Sequence, residues 1–389
     1  MMGIKLARKA LVVAGTAALL AGCQLVPKGP TTSTGPIETG PTPEPSATAL
    51  PTDETRHRVA LLVPMSGNNA RVGQSIANAT TMAILDTGAE NLRITTYDTS
   101  AGARAAARKA IADGNKLILG PLMSTNVAQV LAEARPARVP LISYSNDASV
   151  AGPDSFVMGH LPGQSIRRSV DYARSRGATR FSAIVPDGEY GRRAENSLAI
   201  ALQSGGGTLV GVERYARGNT SVVSAAERLK ARGGYDTVLI ADGARLAIQA
   251  AGVFKPRGAG NTNLIGTELW SGESSVTRAS ALRGAWFASV SDSRFKRFSD
   301  SYNTRFGSQP FRIATLGYDS VLLALRVSRD WRVGRSFPTA KLYDSGGFLG
   351  LDGAFRFTRQ GVVDRAMEVR QVRNGQVVIV DPAPARFDD

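Results

Sequence analysis

The sequence has one cysteine and two histidines among 389 residues. A disulfide framework needs paired cysteines, and a structural zinc site takes four Cys or His ligands, so this composition excludes both. Aromatic residues make up only 6%, whereas 43% of the residues are hydrophobic and 20% are charged. The composition predicts a globular chain that folds around an apolar core, with no metal and no cofactor. The length suits two lobes or one large domain.

The amino terminus combines positive charge, a short apolar run and the single cysteine. Lys5, Arg8 and Lys9 precede the run, which ends at Leu20-Ala21-Gly22-Cys23. The run is too short for a stable membrane-spanning helix, and this pattern is typical of a cleaved secretory signal. The tetrapeptide resembles the bacterial lipobox, which implies cleavage before Cys23, lipidation of Cys23 and a permanent membrane anchor. The alternative is an ordinary secretory signal with a cysteine at this position by coincidence.

Residues 24–55 contain seven of the 19 prolines and almost no large apolar residue. Such a segment cannot bury enough surface to fold, and its prolines favour an extended chain that reaches at most about 100 Å. We expect a signal peptide over 1–22, a tether over 23–55 that begins with the acylated cysteine, and a folded domain over 56–389. Gln24 is not aspartate, which by resemblance to the sorting rules of Gram-negative bacteria predicts lipid anchoring in the outer membrane, facing the periplasm.

After residue 56, short runs rich in β-branched residues alternate with helix-like stretches. Alternation of this kind produces parallel sheets covered by helices on both faces. It occurs in two sets, so the predicted fold class is α/β, with two doubly wound parallel-sheet lobes and a ligand position beyond the carboxyl ends of the strands. The first set has strands at 58–63, 92–97, 116–119 and 139–143 with helices at 70–86, 101–113 and 124–135; the second has helices at 163–176, 191–204, 220–232 and 244–252 with strands at 180–185, 208–215 and 237–241.

Five motifs occur in one order along the chain. They are Val59-Ala60-Leu61-Leu62-Val63-Pro64-Met65-Ser66-Gly67 followed by Gly73; Ile118-Leu119-Gly120-Pro121 with Ser124; Val139-Pro140-Leu141-Ile142-Ser143; Asp187-Gly188-Glu189-Tyr190-Gly191; and Ala314 with Gly317-Tyr318-Asp319. Together they resemble the type I periplasmic binding proteins of the leucine/isoleucine/valine group, over nearly all of the chain after the tether. The resemblance implies two lobes joined by three crossovers, with the first lobe at about 56–160 and 290–334 and the second at about 161–289 and 335–385.

The resemblance also implies a ligand site in the cleft between the lobes. In the amino-acid receptors of this group, a hydroxyl at the position of Ser124, the stretch from Ser145 to Asp147 and a glutamate, here Glu268, hold the carboxylate and the ammonium of the ligand. An amino acid needs donors for its carboxylate and an acidic acceptor for its ammonium, which Ser124 and Glu268 could supply. The alternative for Ser124 is an ordinary helix cap. Asn146 and Asp147 replace the small and hydroxyl residues of the group.

Three functions follow from the resemblance. On a chain with a lipobox, the motifs also resemble the carboxy-terminal domain of lipoprotein activators, which bind a bifunctional penicillin-binding protein and stimulate peptidoglycan synthesis. Gram-negative transport receptors of this fold are usually free in the periplasm, so the anchor favours the activator. The alternative is a receptor that delivers an amino acid or a small peptidoglycan-derived ligand to an ABC transporter. The third function is a ligand-sensing scaffold without a synthase partner.

The sequence predicts no enzyme and no nucleic-acid partner. It has neither a P-loop nor a G-x-S-x-G elbow, and His57 and His160 have no catalytic partner set. Ser293 to Lys296 matches S-x-x-K, but no Lys-Thr-Gly follows and the stretch has a helical pattern. The formal charge is +15, and 38 of the 47 basic residues are arginines scattered among acidic ones. This pattern indicates a solvated surface or a weak, salt-sensitive attraction to an acidic partner.

Overall fold

The computed structural model describes residue 53 and residues 55–218, 221–384 and 387. The expected signal peptide, Cys23 and nearly all of the expected tether lie outside the described residues. Within the described ranges, no helix is both long enough and apolar enough to cross a membrane. Cleavage and lipidation therefore stay predictions.

The chain first forms a five-stranded parallel sheet with helices on its faces. The strands are β1 (His57–Val63), β2 (Leu92–Asp98), β3 (Leu117–Leu119), β4 (Leu141–Ser143) and β5 (Ser155–Val157), and the helices are α1 (Ala70–Thr87), α2 (Ala103–Ala112) and α3 (Ser124–Ala134). The strand order is β2-β1-β3-β4-β5. Five consecutive residues of β1, Val59 to Val63, are fully buried, as expected for a parallel strand covered on both faces.

A second sheet follows, again with helices between its strands. Its first part comprises α4 (Pro162–Ser175), β6 (Arg180–Pro186), α5 (Glu189–Gly205), β7 (Thr208–Tyr215), α6 (Ser221–Arg232), β8 (Thr237–Ile240), α7 (Ala244–Phe254), β9 (Asn263–Gly266), α8 (Ser274–Arg278) and β10 (Trp286–Ser289). The chain then forms α9 (Phe295–Phe306), α10 (Thr315–Ser328), β11 (Phe348–Gly350), β12 (Gly353–Phe357), β13 (Val363–Arg365), β14 (Glu368–Arg373) and β15 (Gln376–Asp381). The second sheet has the order β15-β14-β10-β9-β8-β6-β7.

Packing assigns these elements to two lobes. The first lobe contains the first sheet with α1–α3, α9 and α10, because α9 and α10 pack against α1. It also contains the antiparallel sheet β11-β12-β13, since Phe348, Phe355 and Phe357 lie in one core cluster with Val59 and Leu61. The second lobe contains α4–α8 and the second sheet, with three core clusters of its own.

Three passages connect the lobes, at residues 158–161, 290–294 and 366–367. The third passage falls between β13 and β14, and not near residue 335, because residues 337–363 pack on the first core. The α/β class with parallel sheets covered by helices is confirmed. However, β14 and β15 pair antiparallel at the edge of the second sheet, and the small third sheet was not predicted.

Candidate functional site

Glu268 lies two residues after the end of β9, at the start of a short 3-10 turn. The Thr267 hydroxyl accepts a hydrogen bond from the Leu269 amide and fixes the start of this turn. Oε1 of Glu268 accepts a 3.1 Å hydrogen bond from the Tyr190 hydroxyl. Oε2 is buried and has no hydrogen-bond partner within residues 55–218 and 221–384. A buried carboxylate oxygen without a donor is unfavourable, so this atom is ready to accept a donor from a ligand.

The protonation state of Glu268 depends on what faces it. Burial raises the pKa of Glu268 to about 7, although a hydrogen bond from its own backbone amide and one from Tyr190 oppose the rise. Burial and the nearby charge of Glu268 hold the pKa of Tyr190 well above its ordinary value, so Tyr190 stays a neutral donor. A ligand cation close to Glu268 would favour the ionised carboxylate.

Both lobes contribute to the cavity at Glu268. Its other lining residues are His160, Ser271, Ser289, Val290, Arg312 and Met367, and its volume is about 10 Å³. Such a volume holds roughly one water molecule. Glu268 belongs to the second lobe and Arg312 to the first, so the two lobes are nearly in contact at this point. An amino acid could enter only after the lobes have separated.

A charged pair, Arg217 and Asp242, lies near Glu268 in the second lobe. The Arg217 guanidinium lies 5.7 Å from the centroid of the Tyr190 ring. It also donates to both carboxylate oxygens of Asp242, at 2.9 and 3.1 Å. The Trp270 indole donates a 3.0 Å hydrogen bond to the Asp242 carbonyl. This bond connects the turn that contains Glu268 to the charged pair. Tyr190 and Arg217 were not predicted as site residues, because their contacts with Glu268 and Asp242 are not local in sequence.

The serines expected at the site lie in the first lobe. Ser124 is the first residue of α3 and is half-buried. Its hydroxyl makes no hydrogen bond with any part of the chain that the structure describes. Ser145 is buried, and its hydroxyl accepts a hydrogen bond from the Asp147 amide at 3.0 Å. The Ser124 hydroxyl is therefore available to a ligand, whereas that of Ser145 already stabilises a turn.

Asp147 lies in a different place from Glu268. Its Oδ2 accepts a 2.6 Å hydrogen bond from Arg193 of α5 in the second lobe. Its Oδ1 accepts hydrogen bonds from the amide and hydroxyl of Ser149. Burial raises the pKa of Asp147, but the Ser149 hydrogen bonds and the Arg193 charge outweigh it and hold the pKa below its usual range. Asp147 lines a groove of about 790 Å³ that does not include Glu268, so the expected site residues do not share one cavity.

A buried network of charged residues, here called the hinge cluster, connects the three passages. Its members are His160 in the first passage, Asp292 in the second, Glu368 and Arg370 just after the third, and Arg312, Asp352 and Arg365 in the first lobe. Asp352 is fully buried and accepts hydrogen bonds of 2.6 Å each from His160 and Arg312. Arg312 also pairs with Asp292 at 3.4 Å, and Asp292 pairs with Arg370. The ion pairs thus run from one lobe to the other.

Burial and neighbouring charges together determine the protonation of Asp352 and His160. Burial raises the pKa of Asp352, but Arg312 and His160 oppose it and hold the pKa far below its usual range. Burial lowers the pKa of His160 despite the neighbouring Asp352. The neutral imidazole therefore donates from Nε2 to the ionised carboxylate. The hinge cluster could not be predicted from the sequence, because its members are distributed from residue 160 to residue 370.

The S-x-x-K motif at Ser293 to Lys296 does not form a catalytic site within the described residues. The Lys296 ammonium pairs with Asp300 at 2.8 Å, and its side chain is 84% exposed. The Ser293 hydroxyl accepts a 3.1 Å hydrogen bond from the Ser291 hydroxyl. Within the same ranges, no group of three His, Cys, Asp or Glu residues is placed to hold a metal ion.

Comparison with solved structures identifies the fold. The chain is similar to a protein from Rhodospirillum rubrum assigned as a branched-chain amino acid ABC transporter, with 18% identity, coverage of 84% of this chain and 100% of that one, and a TM-score of 0.72. LivJ of Streptococcus pneumoniae, in complex with isoleucine, has 20% identity, covers 85% and 100%, and has a TM-score of 0.63. A solute-binding protein of Rhodopseudomonas palustris BisB5, in complex with 3,4-dihydroxybenzoic acid, has 20% identity, covers 86% and 98%, and has a TM-score of 0.67. These likenesses confirm the type I periplasmic binding protein fold.

Sequence comparison extends the result. A curated protein of Rickettsia prowazekii (strain Madrid E), uncharacterized protein RP748, is 28% identical over 159 residues, which are 40% of this chain and 43% of that protein. The match thus spans less than half the length of this relative. The family model for periplasmic binding proteins matches residues 57–376, which is nearly the whole folded part. The chain therefore belongs to the periplasmic binding protein family.

Proposed function

We propose that this protein is a periplasmic receptor that binds a small ligand between its lobes and presents it to a transport system. The observation that carries the proposal is Glu268, whose buried Oε2 lacks a donor within the described chain and lies where the two lobes meet. The family is periplasmic, and the structural neighbours named above are ABC-transporter proteins. They support the receptor alternative better than the activator of a penicillin-binding protein that the anchor favoured.

The ligand class follows from the charges at the cleft. Glu268 is acidic and its free oxygen needs a donor, which an ammonium group supplies. In the first lobe, Ser124 offers a free hydroxyl at the start of α3, where the helix end favours a carboxylate. We therefore propose an α-amino acid as the ligand, held between Ser124 and Glu268. The ligand-binding roles of Ser145 and Asp147 stay predictions, and we assign the protein no catalytic role.

A thermal-shift screen tests the receptor proposal. The purified protein is heated with each common amino acid and with benzoate and 4-hydroxybenzoate, and a ligand that binds the folded state raises the melting temperature. We expect an amino acid to raise it for the wild type and for Glu273→Gln, an exposed control carboxylate. Glu268→Gln should respond much less. A response to benzoates alone would contradict the amino-acid assignment, and no response at all would contradict the receptor.

We also propose that the mature chain begins at acylated Cys23 and is held in the outer membrane. The proposal rests on the lipobox resemblance, the single cysteine and Gln24. It gives the receptor a permanent membrane anchor and a tether. Mass spectrometry and membrane fractionation of the wild type and Cys23→Ser test it. We expect the variant to be uncleaved or soluble, and a mature Cys23→Ser protein in the outer membrane would contradict the anchor.

A further inference from the structure

The cavity at Glu268 has a second residue with an unpartnered buried atom, Arg312. Its Nε–H is buried and finds no acceptor in the part of the chain that the structure describes. The two unpartnered atoms are complementary, because Oε2 of Glu268 can only accept when ionised and Nε–H of Arg312 can only donate. Glu268 belongs to the second lobe and Arg312 to the first. A molecule that offers both a donor and an acceptor would therefore satisfy both lobes at once.

The other polar side chains that line this cavity already make hydrogen bonds. The Ser271 and Ser289 hydroxyls donate to other groups of the chain at 3.1 and 3.2 Å. The Nε2 atom of His160 lies 2.6 Å from a carboxylate oxygen of Asp352. The remaining lining residues are a valine and a methionine, which have no polar side-chain group. Polar recognition in this cavity is therefore left to the two unpartnered atoms.

The rest of the Arg312 guanidinium is held by neighbouring groups. Its Nη1 donates to Asp352 at 2.6 Å and to the Thr315 hydroxyl at 3.2 Å. Its Nη2 donates to Asp292 at 3.4 Å. The Phe295 ring covers one face of the guanidinium, with its centroid 4.4 Å from Cζ. These contacts limit the movement of the free Nε–H before a ligand arrives, and a donor that is already ordered loses little entropy on binding.

We propose that Arg312 is a ligand-binding residue whose Nε–H donates to the carboxylate of the amino acid, together with the Ser124 hydroxyl. The inference rests on the amino-acid site proposed above. The ligand ammonium then faces Oε2 of Glu268, so the ligand joins the two lobes through one charged group each. A carboxylate suits this donor, because a hydrogen bond between two ions is stronger than one between neutral groups. Arg312 also connects the ligand to Asp292 in the second passage between the lobes.

Calorimetric titration with leucine and leucinamide at pH 7 tests the role of Arg312. Leucinamide keeps the amino group and lacks the carboxylate, so the wild type should bind leucine at least about tenfold more tightly. Arg312→Lys keeps the positive charge but removes the Nε–H, and should reduce this preference at least about fivefold, chiefly by weakening leucine binding. Arg305→Lys is the control, because Arg305 pairs with Asp86 elsewhere in the first lobe. It should leave the preference for leucine unchanged, and circular dichroism verifies that each variant is folded.

The preference for leucine separates ligand contact from damage to the hinge cluster. A purely structural role would weaken the binding of leucine and leucinamide alike, so an unchanged preference in Arg312→Lys would overturn the inference and leave the receptor proposal intact. Absence of leucine binding to the wild type would overturn both.

A crystal structure of the wild type with leucine tests the same contact without a variant. A carboxylate oxygen of the ligand should lie within about 3.2 Å of the Arg312 Nε. A carboxylate held by Ser124 alone, with a water molecule between Arg312 and Glu268, would overturn the inference.

Discussion

Arg193 of the second lobe donates a 2.6 Å hydrogen bond to Asp147 of the first. Both side chains are largely buried, with 21% and 17% of their surfaces exposed. Arg193 also lies 3.6 Å from Glu189, one helical turn earlier. The pair connects α5 of the second lobe to the turn at Asp147 of the first, so its energy contributes to the arrangement of the lobes and not only to local folding.

A double-mutant cycle on Arg193→Ala and Asp147→Ala should reveal this coupling. We expect a coupling energy of about 0.5–1.5 kcal/mol in the free energy of unfolding, because the pair is partly shielded from water. The exposed pair of Lys296 and Asp300 within α9 is the control and should give about 0.5 kcal/mol or less. Strictly additive effects of Arg193→Ala and Asp147→Ala in urea denaturation would show that the interlobe pair is energetically neutral.

Amino-acid binding should depend on pH through Glu268. The ligand ammonium interacts with the ionised carboxylate, and the pKa of Glu268 in the empty protein is about 7. Affinity should therefore rise about tenfold from pH 6 to pH 8 and then level off. Glu268→Gln removes the titrating group, so its weaker binding should be independent of pH over this range. Calorimetric titrations at several pH values measure the affinities of the wild type and of Glu268→Gln. An equal pH dependence in the variant would show that a group other than Glu268 titrates.

The same residue should affect the stability of the empty protein in the opposite direction. The folded protein binds the Glu268 proton more tightly than the unfolded chain, whose ordinary pKa is 4.5. Between these two pKa values the folded state holds more protons, so Glu268 lowers stability as pH rises from about 4.5 to 7. In urea denaturation without ligand, the free energy of unfolding should fall less over this pH interval for Glu268→Gln than for the wild type.

Asp352 should be the most sensitive acidic residue of the hinge cluster. Asp352→Ala leaves His160, Arg312 and Arg365 buried around a missing carboxylate. Removing one partner of a buried ion pair costs about 3–5 kcal/mol in the free energy of unfolding. Asp300→Ala, which breaks an exposed pair, should change the unfolding midpoint little. A loss below about 1 kcal/mol for Asp352→Ala would mean that water replaces the carboxylate in the cluster.

Gly191 tests why one of the sequence motifs needs a glycine. A Cβ atom at this position would lie 1.7 Å from the Pro186 carbonyl oxygen, because α5 begins close against the end of β6. Gly191→Ala should therefore cost at least about 2 kcal/mol of stability. Gly252 lies in α7 with open space around it, so Gly252→Ala should stabilise the protein by up to about 1 kcal/mol. Equal effects of the two substitutions in thermal unfolding would refute this explanation.

The repeating part of the fold could be predicted from sequence, because its signals are local. The buried run of β1 and the helical pattern of α1 are each formed by consecutive residues of one short segment. Both elements occur within a residue or two of the predicted bounds. Residues 335–365 lack such a signal. Their three short strands are stabilised by Phe348 and Phe355 against the first core, a contact that no local pattern indicates.

Less of the candidate site could be predicted from the sequence, because its contacts join residues that are far apart in the chain. The glutamate after β9 could be identified from a motif, but the Tyr190 hydroxyl that holds it is 78 residues away. The charge of Asp147 was visible in the sequence, whereas its partner Arg193 is 46 residues distant. Contacts of this kind depend on how two lobes come together, so only the structure reveals them.

Isothermal titration calorimetry of the wild type and Glu268→Gln with isoleucine and leucine at pH 8 tests the central claim most directly. The interlobe site predicts saturable binding of one amino acid per chain to the wild type. Glu268→Gln should bind roughly ten- to a hundredfold more weakly, because a hydrogen-bonded charge contributes about 1.5–3 kcal/mol. Equal affinity of both proteins would contradict the role of Glu268, and no heat with either amino acid would contradict the amino-acid site itself.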